Sequence, residues 1–155
     1  MHDTTLLQLI EEDIAPMQEL LELLQNEAVA LHGRDMPLLE QILARKQSLI
    51  ILLEQHGQRR SQLLVSLGLS ADRAGVQAVA DTSVHGEAML QRLDMLSQLM
   101  EACQQVNQTN GRIIQVQQHV TNNQVRILMG GDSPSLYNSR GNTSPLAKPR
   151  ALNQV

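Results

Sequence analysis

The stretch VHGEAMLQRLDMLSQLMEACQQVNQTNGRIIQVQQHVTNNQVRILM, residues 84–129, decides the fold. In its first half Met89, Leu93, Leu96, Met100 and Cys103 step by four and three, the spacing of one face of an α-helix. Asn107, Asn110 and Gly111 then interrupt that stripe. A second one takes over at Val106, Ile113, Val116, Val120 and Ile127, set among eleven Gln or Asn residues between positions 104 and 124. A bundle core needs the first kind of face. A partner that comes and goes suits the second.

Composition sets what can surround this helix. The chain has 155 residues, enough for one domain with a substantial core. Hydrophobic residues make up 42%, yet there is no Phe, no Trp and one tyrosine, Tyr137. The core must therefore be aliphatic, which favours packed helices over a sheet. Net charge is −4, and no basic cluster is interleaved with aromatics, which argues against nucleic-acid binding. The one cysteine, Cys103, has no internal disulfide partner and fits a reducing cytosol. No apolar run reaches the ~18–20 residues that span a bilayer, and the acidic N-terminus lacks the basic start of a signal peptide. The expectation is a cytoplasmic protein without membrane insertion.

Upstream, Leu7, Ile10, Ile14, Met17, Leu21, Leu24, Ala28 and Leu31 alternate steps of three and four, the seam of a helix packed lengthwise on another. This predicts a helix over about 4–31, capped among Asp3, Thr4 and Thr5, stopped at Gly33 and bent rather than broken at Pro16. A second helix over 36–67 tolerates Pro37 in its first turn and ends at Gly68. Its seam is Leu39, Ile42, Lys46, Leu49, Leu53, His56, Arg60, Leu63 and Leu67. Three polar entries on one seam call for opposite charge nearby. Residues 1–31 hold seven acids and no Lys or Arg, whereas residues 34–67 hold five bases against three acids. An acidic helix joined to a basic one by a short loop predicts an antiparallel hairpin with matched charge. Exposed pairs add little, so apolar burial holds such a hairpin and charge mainly sets its pairing.

Ser70 is the expected cap of a short helix over 71–80, with Gly75 as its weak point, and Thr82 or Ser83 that of the long helix over 84–129. The fold class is thus all-α: an antiparallel three-helix bundle or coiled coil with a long third helix. At 1.5 Å per residue the third helix would run about 69 Å against roughly 42 and 48 Å for the first two. It either overhangs them by around four turns or breaks near Gly111. Gly130 and Gly131 close it, and residues 130–155, with three prolines and no period, predict a flexible tail.

The chemistry of catalysis is missing from the pattern. The five histidines stand in separate segments without paired ligand spacing, so no metal or cofactor is expected. Nucleophile elbows and phosphate-cradling glycine loops are absent too. His56 on its seam reads as a satisfied bundle histidine. A phosphoryl-accepting histidine is the sharper alternative, with Gly57, Arg59 and Arg60 following it but no lysine. Cys103 reads as a small core residue. The Val/Ile stripe has a bland reading of its own, as the last turns of the core.

Three segments carry a resemblance beyond the acidic first helix: LHGRDMPLLEQILARKQSLIILLEQHGQRRSQLL at 31–64, NGRIIQVQQHVTNNQVRILMGG at 110–131, and LYNSRG at 136–141. In this order and spacing the chain resembles the FlgN family of flagellar export chaperones. The resemblance implies a non-enzymatic cytosolic chaperone for the hook-associated proteins of the hook–filament junction. It would hold their helical C-terminal segments against aggregation and deliver them to the flagellar type III export gate. The family's substrate contact resembles Val106, Ile113, Val116, Val120 and Ile127 here, and its gate-docking tail tyrosine resembles Tyr137. The residues after Gly141 match no pattern. Two readings compete: a coiled-coil adaptor that self-associates through the same stripe, and a histidine phosphotransfer domain centred on His56.

Overall fold

Apolar rows at three- and four-residue steps become helices along the described chain. A computed structural model describes residues 1–128, in five helices: α1 (His2–Glu11), α2 (Ile14–Gly33), α3 (Met36–Ser66), α4 (Arg73–Ala80) and α5 (Gly86–Leu128). The fold is all-α, as predicted, and no strand occurs among the described residues. The chain divides into two compact units, residues 1–107 and 108–155, and α5 runs from the first into the second. The predicted tail lies outside the described residues.

The predicted first helix is two helices. Proline at position 16 lacks an N–H, and its ring opposes the carbonyl of residue 12, four positions back. α1 accordingly stops at Glu11, and Glu12 and Asp13 form a short step before α2. Their amides turn back to α1, Glu12 N–H to the Gln8 carbonyl at 2.9 Å and Asp13 N–H to that of Ile10 at 3.2 Å. The expected bend is therefore a break, and it carries Asp13 inward to 3% exposure.

The ends of the helices follow local chemistry, with three departures from expectation, one of them that α5 starts at Gly86 after His85, so that neither Thr82 nor Ser83 caps it. α2 stops after Gly33 through Arg34, whose φ of 53° lies in the left-handed region. Asp35 then caps α3 by accepting from the Leu38 N–H at 3.2 Å, with Pro37 in the first turn. Gly68, at φ 75°, takes the chain out of α3. α1 begins at His2 without a side-chain cap, because Asp3 accepts instead from the amino terminus (2.8 Å) and from Ser83 Oγ (2.6 Å). α4 is capped by Asp72, which accepts from the Gly75 N–H at 3.2 Å. Ser70, the expected cap, supports Asp72 by donating to it at 2.6 Å. Gly75 is no weak point: a Cβ there would lie 1.8 Å from the Ser70 carbonyl oxygen, so only glycine lets the two segments touch.

Within residues 1–107, side-chain pairs fix the direction of each helix. Asp13, early in the chain, meets His56 and Arg60 in the later part of α3, whereas Glu19 and Glu27, further on, meet Arg45 and Lys46 in its earlier part. The hairpin is antiparallel. The first part of α5 runs parallel to α1–α2, through Ser83 with Asp3, Arg92 with Glu11 at 3.3 Å and Cys103 with the Met17 carbonyl. The core is aliphatic: Leu6, Ile10, Met17, Leu20, Leu24, Leu49, Leu64, Val76, Met89 and Leu96 are buried together, with Cys103 among them. Several seam positions shift by one residue, with Leu20 buried in place of Leu21 and Leu64 in place of Leu63. Leu6 rather than Leu7 is fully buried, and Met100 stands 48% exposed while Leu99 packs on the core.

Candidate partner-binding face of the last helix

The helix α5 continues without interruption through Gly111, so the break considered there does not occur. A glycine mid-helix costs about 1 kcal/mol relative to alanine, an amount a long helix absorbs. One heptad row, Met89, Leu96, Cys103 and Asn110, is buried along its whole length. Three of its members are apolar; the fourth is an amide, and Gln117 and Gln124 continue the row. As that row turns polar, the neighbouring one, Leu99, Val106, Ile113, Val120 and Ile127, carries the apolar character onward.

Exposure along this second row grows toward the C-terminus. Leu99 and Val106 belong to the first unit, where both are half-buried against the core. In the second unit Ile113 is half-buried, Val120 is 40% exposed, and Val116 beside it is 63% exposed. Ile114, not anticipated as a surface residue, is 39% exposed on the other flank. Ile127 lies on α5, but its side chain is outside the described residues, and so is Tyr137. The described part of the second unit thus gathers Ile113, Val116 and Val120 on one helix face, and a row of apolar residues on a polar helix is the ordinary substrate for helix-in-groove recognition. Amides interleave with it: Asn123 Nδ2 lies 3.4 Å from His119 Nε2, and Arg126 donates to Asn123 Oδ1 at 2.7 Å.

The buried charged groups of the first unit, Asp13 and His56, are committed to structural partners. His56 is 9% exposed and its Nδ1 lies 2.7 Å from Asp13 Oδ1; Arg60 pairs with the other oxygen of the same carboxylate. A ring nitrogen held this way is a positioned core histidine, and its burial weighs against phosphoryl transfer. Lys46 Nζ reaches Glu27 at 3.1 Å with both side chains mostly covered. Arg45 grips Glu19 through two bonds of 2.5 and 2.8 Å, which holds the Glu19 carboxyl below and the guanidinium above their ordinary pKa values. The Ser70 hydroxyl, followed by the Gly75 amide, does the same to the Asp72 carboxyl. The amino terminus and Ser83 lower that of Asp3. Burial pushes the Cys103 thiol up, so it stays protonated beside the Met17 carbonyl.

A cleft of about 670 Å³ lies between α3, α4 and the start of α5, with Arg60, Asp72, Arg73, Leu93 and Ser97 on its walls. Three of its charged groups are already engaged, Arg60 with Asp13, Arg73 with Asp94 at 2.7 Å, and Asp72 as a helix cap. Among the described residues no group of three or more His, Cys, Asp or Glu stands close enough to hold a metal ion. No helix there is long and apolar enough to cross a membrane.

Comparison with known proteins agrees with this architecture. No match was found among curated proteins. A crystal structure from Pseudomonas aeruginosa, described as a flagella synthesis protein FlgN, is similar at 43% identity and a TM-score of 0.68. The match covers 71% of this chain and 86% of that one. The family model described as FlgN protein matches residues 1–145. With nearly the whole length matched, this chain belongs to the FlgN family.

Proposed function

We propose that this protein is a cytoplasmic export chaperone, without catalytic activity, for flagellar hook–filament junction proteins. The C-terminal helical segment of such a client lies along α5, over Ile113, Val116, Val120 and Ile127, with Val106 at the near end of the row. Tyr137 serves docking at the export gate. The observation that carries the reading is the pair Val116 and Val120, 63% and 40% exposed on a helix whose first half buries Met89, Leu96 and Cys103. Family membership and the name of the similar Pseudomonas protein support it. Covering such a valine contributes about 1–2 kcal/mol, so a few of them under a client helix give firm but reversible capture. No nucleotide is needed on this reading; release is driven by the export machinery.

The test is Val120→Asp and Val116→Asp, assayed by co-purification with hook-associated proteins. Binding should be lost while the thermal melt of the chaperone barely moves, since substitutions at exposed sites usually stay within about 0.5 kcal/mol. Unfolded variants would make the row part of the core. A stable homodimer dispersed by either variant would favour the self-associating adaptor, which would use the same exposed valines.

A further inference from the structure

The charge of the chain changes along α5 as sharply as its apolar pattern does. Its first heptads carry Glu87, Arg92, Asp94 and Glu101, two of which form ion pairs with neighbouring elements, Arg92 with Glu11 and Asp94 with Arg73. Between Glu101 and Arg126 the only formal charge is Arg112. Eleven carboxamides occupy positions 104–124. Around the exposed valines most neighbours are amides, Gln117 between Val116 and Val120 and Asn123 one turn on, with Arg112 and His119 one turn to either side of Val116. Even Arg126, at the end of the segment, donates to an amide oxygen, that of Asn123, at 2.7 Å.

Resting on the chaperone reading above, we infer that this face selects client helices that are themselves uncharged beside their apolar stripe, and reads them by carboxamide hydrogen bonds rather than ion pairs. A carboxamide offers both a donor and an acceptor, so it satisfies Gln, Asn, Ser or Thr on a facing helix in either orientation. It cannot compensate a buried charge. A Lys of a partner pressed against this face, or a Glu beyond the reach of Arg112, would lose its water and gain no counter-ion, a penalty of several kcal/mol. Neutral helices pass, and charged ones are rejected by desolvation. The mode also removes long-range steering, because rim charges are what make association sensitive to salt.

The experiment is calorimetric binding of the full-length chain to the isolated C-terminal segments of hook-associated proteins. It is run at about 0.01 M and at about 1 M NaCl, where the screening length drops from ~30 to ~3 Å. The dissociation constant should change by less than about threefold, against orders of magnitude for an ion-paired interface. In parallel, Gln117→Glu and Gln117→Lys should each weaken binding by about tenfold or more, because desolvation penalises either sign. A larger salt effect, or Glu and Lys variants acting in opposite directions, would overturn the inference while leaving the chaperone reading intact. Absence of binding at both salt concentrations would overturn the chaperone reading itself. The salt series uses the unmodified chain and so stands even where a Gln117 variant folds poorly.

Discussion

Replacing Asp13 by alanine tests whether the break between α1 and α2 is held by charge. The carboxylate is 3% exposed and accepts from His56 at 2.7 Å and from Arg60. Removing one partner of a buried ion pair costs roughly 3–5 kcal/mol, because the remaining charge is left uncompensated. Arg60 keeps 23% of its side-chain surface in water and can turn outward, whereas the His56 side chain keeps 11%. The loss should therefore fall near the lower end, at about 3 kcal/mol. With a urea dependence of about 2 kcal/mol per molar, the unfolding midpoint should drop by about 1.5 M. Glu19→Ala, which removes an exposed pair, is the control and should leave the midpoint almost in place. A double-mutant cycle with Arg60→Ala should return a coupling of about 1–3 kcal/mol. An Asp13→Ala midpoint indistinguishable from that of Glu19→Ala would refute the reasoning, since it would mean that the desolvation of Asp13 cancels its contacts.

Two further outcomes follow from close contacts elsewhere in the fold. Gly75→Ala should lower the melting temperature by roughly 10 °C, because its Cβ would meet the Ser70 carbonyl oxygen at 1.8 Å and neither backbone can yield cheaply. A melt within experimental error of the parent would show that α4 and the preceding loop separate freely. Asp3, Glu19 and Asp72 are all held below the ordinary carboxylate range in the fold. Their contribution is therefore complete above about pH 5, where the unfolded carboxylates are already ionised, and is lost as pH falls through the folded values. Urea midpoints should stay level down to about pH 5 and then decline, less steeply in Asp72→Ala; a midpoint that rose on acidification would contradict the assignments.

The hairpin was legible because a polar residue on an apolar seam must be compensated. Lys46, His56 and Arg60 stood out on that ground, and each meets an acid from α1–α2. Asp13 itself was not legible. It follows Glu11 and Glu12 in an acidic run off the seam, and only the break made by Pro16 turns it inward. Met100 and Leu99 exchanged roles because adjacent residues satisfy a three-or-four step equally well; the strict seven-residue spacing of Met89, Leu96, Cys103 and Asn110 would have marked the buried row and flagged Asn110 as part of it. Gly75 was invisible, since a close approach between a loop and a short helix depends on tertiary path rather than periodicity. On the candidate face, Val116 and Val120 were readable from the change of stripe, and the exposure of Ile114 was not.

A core without aromatic rings has few shapes that fit in one place alone. Leucine rows repeating every seven residues would look much the same if α3 slid along α2 by one repeat, about 10 Å. That slide would set Asp13 against Leu49 and Leu53, or against Leu63 and Leu67, in place of His56 and Arg60, and would bring Glu27 to Leu39 or Leu53 in place of Lys46. Burying those carboxylates on hydrocarbon is prohibitive, so the ionic contacts act as notches in a rack and leave the hairpin one alignment.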